Sequence, residues 1–124
     1  FSFLGFCFYW GRSRKGRAVV KLKTAKERWT RTAKALGEWL SCNRHQPVAT
    51  QHAQLSVKLR GHFQYFGVTF NSRAPRNLVE EVKKRWRVCL NRRGGRKGWS
   101  WERFASLLVT YPLPRPRIIH HLFD

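Results

Sequence analysis

Apolar residues recur along this chain with two different periods. From residue 25 onward they return every three or four positions, the spacing that gathers side chains on one face of a helix. Ala25, Trp29, Ala33, Leu36 and Leu40 define a first such face, and Val48, Leu55, Leu59, Phe63 and Phe66 a second over about residues 48–66. Leu78, Val82, Trp86 and Cys89 form a third stripe, and Trp101, Phe104, Leu108 and Tyr111 a short fourth. Upstream the pattern changes. Residues 1–10 are dense in aromatics around Gly5, residues 17–23 (RAVVKLK) are β-branched and basic, and GRSRKG between them supplies turn glycines at Gly11 and Gly16. That is the signature of a β-hairpin.

The helix ends carry their own signals. Thr24 followed by Glu27 reads as a capping box opening the first helix, and Glu27–Arg31 and Lys34–Glu38 are i,i+4 charge pairs on its outer side. This helix ends near Asn43, and RHQP links it to the second, which Gly67 is placed to stop. Asn71 or Ser72 caps the third helix, with Pro75 tolerated in the first turn. RRGGRKG, residues 92–98, is a flexible basic loop, and Ser100 caps the fourth helix. YPLPRPR, residues 111–117, has proline at every second position and predicts an extended tail. The expected architecture is mainly α: an N-terminal β-hairpin over residues 1–23, then a three- to four-helix bundle over residues 24–124.

Charge changes the picture most. The 124 residues hold 26 Lys and Arg against 6 Asp and Glu, a formal +20, with 42% hydrophobic residues. The chain is too apolar for a disordered basic tail, and a folded domain this cationic fits best beside a polyanion. Nucleic acid is the leading partner class and an anionic membrane surface the second. The longest apolar run, FSFLGFCFYW, is ten residues, too short to span a bilayer, and no secretory leader is recognisable. Cys7, Cys42 and Cys89 are widely spaced and odd in number, which predicts reduced thiols and a cytoplasmic setting. With no Met and Phe1 at the start, the sequence is expected to be a piece of something longer.

Candidate catalytic chemistry is sparse. The acidic residues are Glu27, Glu38, Glu80, Glu81, Glu102 and Asp124, and none cluster as two-metal phosphoryl transfer requires. RRGGRKG lacks the spacing of a phosphate-binding loop. Cys42-x-x-His45 with His52 matches no zinc class. The chain is expected not to be an enzyme by itself, with no metal and no cofactor.

The basic residues look organised in three places. Arg12, Arg14, Lys15, Arg17, Lys21 and Lys23 sit on the hairpin turn and its return strand; Arg76, Lys83 and Arg87 form a stripe on the third helix; and Arg92, Arg93, Arg96 and Lys97 lie in the basic loop. Unpaired stripes and a basic loop suit a phosphate backbone. One further position stands out within KLRGHFQYFGVTFNSRA, residues 58–74. Gly61 lies inside the second helix, where glycine costs about 1 kcal/mol relative to Ala. A helical wheel places it away from the apolar face, flanked by Lys58, Gln64 and Tyr65. Either RNA approaches this bare notch, with Tyr65 stacking on a base or bonding a ribose hydroxyl, or another helix packs closely there.

FSFLGFCFYWGRSRKG, KLRGHFQYFGVTFNSRA, VKKRWRVCLNRR, WERFASLL and YPLPRPRI, in this order, resemble the C-terminal part of bacterial group II intron reverse transcriptase/maturases. FLGF is similar to the last reverse transcriptase block, at the junction of palm and thumb. The L-R-G-x-x-x-Y-x-G segment resembles the heart of the maturase-specific region, called domain X or the thumb. The resemblance implies a helical thumb that grips intron RNA or a template–primer duplex and assists splicing. It also implies upstream palm and fingers as protein partners and a bacterial cytoplasm. Carried over by position, it marks Leu59, Arg60, Gly61, Tyr65, Gly67, Asn71, Ser72 and Arg73. Many members carry Tyr at position 66 and Gly at position 70, where this chain has Phe66 and Phe70. The family's Tyr-x-Asp-Asp polymerase motif would lie upstream, and this chain's one Asp is Asp124. Without a palm above the hairpin, Phe1, Phe3 and Phe6 are expected to be exposed. Two other readings compete. One is a helix-based DNA binder using the third helix, with Asn77 and Asn91 as its amides; the other is a polymerase component that works only with the palm supplied.

Overall fold

The computed structural model of the chain describes residues 2–3, 5–12, 14–68, 70–93 and 98–119. Two strands, β2 (Phe6–Arg12) and β3 (Ala18–Thr24), pair antiparallel without a break, from Phe6 opposite Thr24 to Arg12 opposite Ala18. A two-residue strand, β1 (Ser2–Phe3), adds to the free edge of β2 and makes the sheet three-stranded. That addition was not legible in the sequence. Of the two expected turn glycines, Gly16 sits in the turn at φ 79°, whereas Gly11 lies within β2, where the stem of Lys21 crosses the space a side chain would fill.

Four helices follow: α1 (Lys26–Cys42), α2 (Val48–Phe66), α3 (Arg73–Asn91) and α4 (Trp101–Thr110). The chain is thus a hairpin-based sheet followed by a small helical bundle, as the two periods predict. The apolar stripes meet in one core. Ala33, Leu36 and Leu40 of α1, Leu55, Leu59 and Phe63 of α2, and Leu78, Val82 and Trp86 of α3 are all buried, with Phe104 of α4 closing one end. Trp86 is fully buried and meets Phe104 edge to face, ring centroids 5.8 Å apart. Its indole N–H donates to Gln51 Oε1 at 3.0 Å, and Gln51 Nε2 donates to the Asn43 carbonyl at 3.0 Å. A buried amide therefore sits in the core register of α2, four residues before Leu55, and its polar atoms are paired as burial demands.

Two expected caps are corrected. Thr24 ends β3 and makes no capping box; the N-cap of α1 is Ala25, with no side-chain cap bond. Asn71 does not cap α3 either. Its Oδ1 accepts the Thr24 backbone N–H at 2.8 Å, and its Nδ2 donates to Thr24 Oγ1 and to the Phe66 carbonyl, each at 2.8 Å. A primary amide offers two donors and an acceptor, and here it ties the sheet to the α2–α3 connection. Ser72 occupies the N-cap position of α3 with no side-chain bond, whereas Ser100 caps α4 by accepting the Arg103 N–H. The charge pairs expected on α1 do not close; Glu80–Lys83 and Glu81–Arg85 on α3 do, at 3.1 and 3.0 Å.

After α4 the chain runs back as an irregular strap. Leu113 is buried, the Pro112 carbonyl lies 2.7 Å from His52 Nε2, and the Ile119 N–H donates to the Gly67 carbonyl at 2.7 Å. Gly67 ends α2 as expected, but not through a left-handed turn, since its φ is −79°. A Cβ there would run into the carbonyl oxygens of Arg117 and Phe63. The left-handed residue is Phe70, at φ 72°, a conformation costing a non-glycine residue about 1–2 kcal/mol.

Candidate nucleic-acid interface

α2 turns one side away from the core, and on it Lys58, Arg60, Gly61, Gln64 and Tyr65 are exposed. A Cβ built at Gly61 meets nothing within 4 Å. Among the described residues no neighbouring helix fills the notch, so close packing among them does not account for the glycine. Tyr65 is 47% exposed, with one ring face laid on Phe6 at 5.6 Å and 17°. Phe6 also packs against Phe66 at 5.0 Å. The expected exposure of Phe6 is corrected accordingly; Phe1 and the Phe3 side chain lie outside the described residues.

Next to the notch, His62 stacks on Phe66 with centroids 4.6 Å apart, and its buried Nε2 has no hydrogen-bond partner among the described residues. Burial, and secondarily the Arg28 charge, lowers its pKa from 6.5 to about 4. The ring is neutral at physiological pH and adds no charge to the surface.

At the hairpin tip Arg14, Lys15 and Arg17 are exposed, and Arg12 curls back to the Gly16 carbonyl at 2.9 Å. Lys21 lies over the Phe70 ring at 5.0 Å, Lys23 over Tyr9 at 5.6 Å, and Lys58 over Trp39 at 5.4 Å. These cations rest on aromatic faces, which stabilises them modestly while leaving Lys23 and Lys58 in contact with solvent.

Several expected contacts are not where the sequence placed them. Asn71 is 1% exposed and fully used in the sheet–helix tie, so it cannot face RNA. Arg87 is half-buried: Nη1 donates to the Trp99 carbonyl at 2.6 Å, and the guanidinium sits 4.2 Å from the Trp101 centroid. It anchors the start of α4 instead of extending a free stripe. Lys83 is held by Glu80, and Arg93 by the Gln46 carbonyl at 2.8 Å. Arg73, Arg76 and Arg92 are exposed. Arg96 and Lys97 lie outside the described residues.

Two concave surfaces were not foreseen. One groove, about 610 Å³, runs between α1 and α3 over Leu40, Val88 and Cys89; Lys34, Arg44, Lys84, Arg85 and Arg92 rim it, with Glu38 and Glu81 among them. Burial raises the Cys89 thiol pKa, which favours the protonated thiol. The second cleft, about 590 Å³, lies between the sheet and the starts of α1 and α3. Which residues of α1 and α3 share the first groove depends on how the two helices pack. Among the described residues no group of three His, Cys, Asp or Glu side chains is placed to hold a metal ion, and no helix is long and apolar enough to cross a membrane. Comparison with family models, with curated proteins and with solved structures finds no match to this chain.

Proposed function

We propose that the chain is an RNA-binding thumb module of the group II intron maturase kind, without polymerase chemistry of its own. The observation that carries this reading is the open notch at Gly61. A mid-helix glycine whose added Cβ would meet none of the described residues within 4 Å, bordered by Lys58, Arg60, Gln64 and Tyr65, suits the approach of an external backbone. RNA presents phosphates for the cations and shallow-groove ribose hydroxyls for the amide and phenol. The chain's excess of Lys and Arg supplies the sequence-independent attraction.

A second feature supports the resemblance. Where many members of the resembled family carry glycine at position 70, the backbone here is left-handed at Phe70, the conformation glycine adopts without strain. On the hairpin, Trp10 is 76% exposed opposite Val20, an apolar edge suited to an upstream palm. The module would grip intron RNA or a template–primer duplex beside that palm and assist splicing by stabilising the folded RNA. The DNA-binding alternative is weaker: the outward side of α3 carries Glu80, which holds Lys83, while Arg87 is committed to Trp99.

The test is a salt titration of binding to a structured RNA. If about six phosphates are neutralised, log K falls against log[salt] with a slope of about −4 to −5. Binding that is independent of salt, or equal for duplex RNA and duplex DNA, would overturn the reading.

A further inference from the structure

The cleft between the sheet and the helix starts differs in chemistry from the α1–α3 groove. Its walls are aromatic: Tyr9 from β2, Trp29 from α1 and Phe70 from the α2–α3 connection. Its charges are Lys23, Lys26 and Arg73, and among the described residues no carboxylate lines it. The α1–α3 groove, in contrast, contains two glutamates and no aromatic residue. At about 590 Å³ the cleft falls within the ordinary range for small-ligand sites, roughly 300–1,000 Å³.

Its geometry is held by the elements already described. The Trp29 indole N–H is fixed on the Ala74 carbonyl at 3.0 Å, so the ring cannot swing away. Phe70 reaches the cleft from a strained backbone, and strain maintained at a ligand-sized surface points to use. The first turn of α3 carries no acidic residue and Ser72 leaves its N–H groups uncapped, so the local field adds to that of Lys26 and Arg73. Asn77 lies at the rim with an amide able to pair with a base edge.

Resting on the RNA reading above, we propose that this cleft seats one unpaired nucleotide of the bound RNA. The base stacks among Tyr9, Phe70 and Trp29, and its phosphate lies on Lys26 and Arg73. Lys23 over Tyr9 and Lys21 over Phe70 are cations already resting on those rings, and a phosphate would draw them aside as the base enters. Recognition of this kind is tolerant of sequence, because every base has a stacking face.

The experiment compares a blunt RNA hairpin with the same hairpin carrying a four-uridine single-stranded overhang, on either strand end. The native chain should bind one overhang form about fivefold or more tightly than the blunt form. Tyr9→Ala, Lys26→Gln and Asn77→Ala should each erase most of that gain while leaving blunt-hairpin affinity unchanged. Lys26 and Asn77 are exposed helix positions, so those variants report binding even if Tyr9→Ala perturbs the hairpin. Blunt binding with no gain from either overhang overturns the nucleotide cleft alone. A gain that survives all three substitutions also overturns it. Failure to bind any of these RNAs would instead remove the RNA reading itself.

Discussion

Replacing Gly61 by Ala separates stability from binding at a single atom. The added methyl points into open space, with nothing within 4 Å to resist it, and Ala is the better helix former by about 1 kcal/mol. Gly61→Ala should therefore stabilise the fold by roughly 0.5–1 kcal/mol, a rise in melting temperature of about 2–6 °C for a domain of this size. The same methyl would stand where a ribose–phosphate backbone approaches. Overpacking a close contact costs about 1–3 kcal/mol, so RNA affinity should fall by about fivefold or more. Thermal unfolding followed by far-ultraviolet circular dichroism, and RNA affinity measured on the same preparation, give both numbers. A drop in melting temperature would refute the open helix face; unchanged affinity with raised stability would refute RNA contact at the notch.

The remaining predictions concern the scaffold. Asn71→Ala strands the buried Thr24 N–H and removes three hydrogen bonds, and should cost about 2–4 kcal/mol in denaturant titrations; a loss under 1 kcal/mol would mean that the tie is dispensable. Gly67→Ala, unlike Gly61→Ala, must push two backbone carbonyls aside, so its melting temperature should drop by several degrees. His62 is depressed from 6.5 to about 4, so the unfolded chain binds the extra proton between those values. Stability should be fully present above pH 6.5 and decline as pH falls toward 4. The full shift equals about 3 kcal/mol, and the partial exposure of the ring brings the expected loss nearer 1–2 kcal/mol. His62→Gln should flatten that stretch of the stability–pH curve, and an unaltered curve would assign the acid sensitivity to other groups.

Much of the helical half was legible because burial and period coincide. Leu55, Leu59 and Phe63 could hardly face anything but Leu78, Val82 and Trp86 once their stripes were recognised. What misled was polar residues with more than one use. Thr24 with Glu27 has the spacing of a capping box, yet a threonine also ends strands well, and the competing pull came from Asn71, far along the chain. Asn71 itself has the chemistry of a cap and of a tertiary tie, and no local pattern separates the two. Arg87 sits on the polar side of the α3 wheel, but Trp99 and Trp101 fold back over it from beyond the basic loop. Gln51 was detectable in principle: an amide spaced four before Leu55, on a core stripe, calls for a buried partner, and Trp86 provides one. Clefts built from three elements, such as that around Tyr9, Trp29 and Phe70, have no signature along the chain at all.

The strap over the end of α2 also sets an order of events. Gly67 opens a slot whose far wall is the segment at Arg117 to Ile119, and its carbonyl is satisfied by the Ile119 N–H. A ribosome adds about 5–20 residues each second, so α2 emerges seconds before the segment that closes over it. Until then the helix end is held by its own turn, by the Asn71 amide and by the packing of Phe6 and His62 on Phe66. A nascent chain paused before residue 113 would lack both the Leu113 side chain of the core and the Ile119 N–H that satisfies the Gly67 carbonyl. Chaperone capture or proteolytic nicking of stalled chains should therefore concentrate at the end of α2.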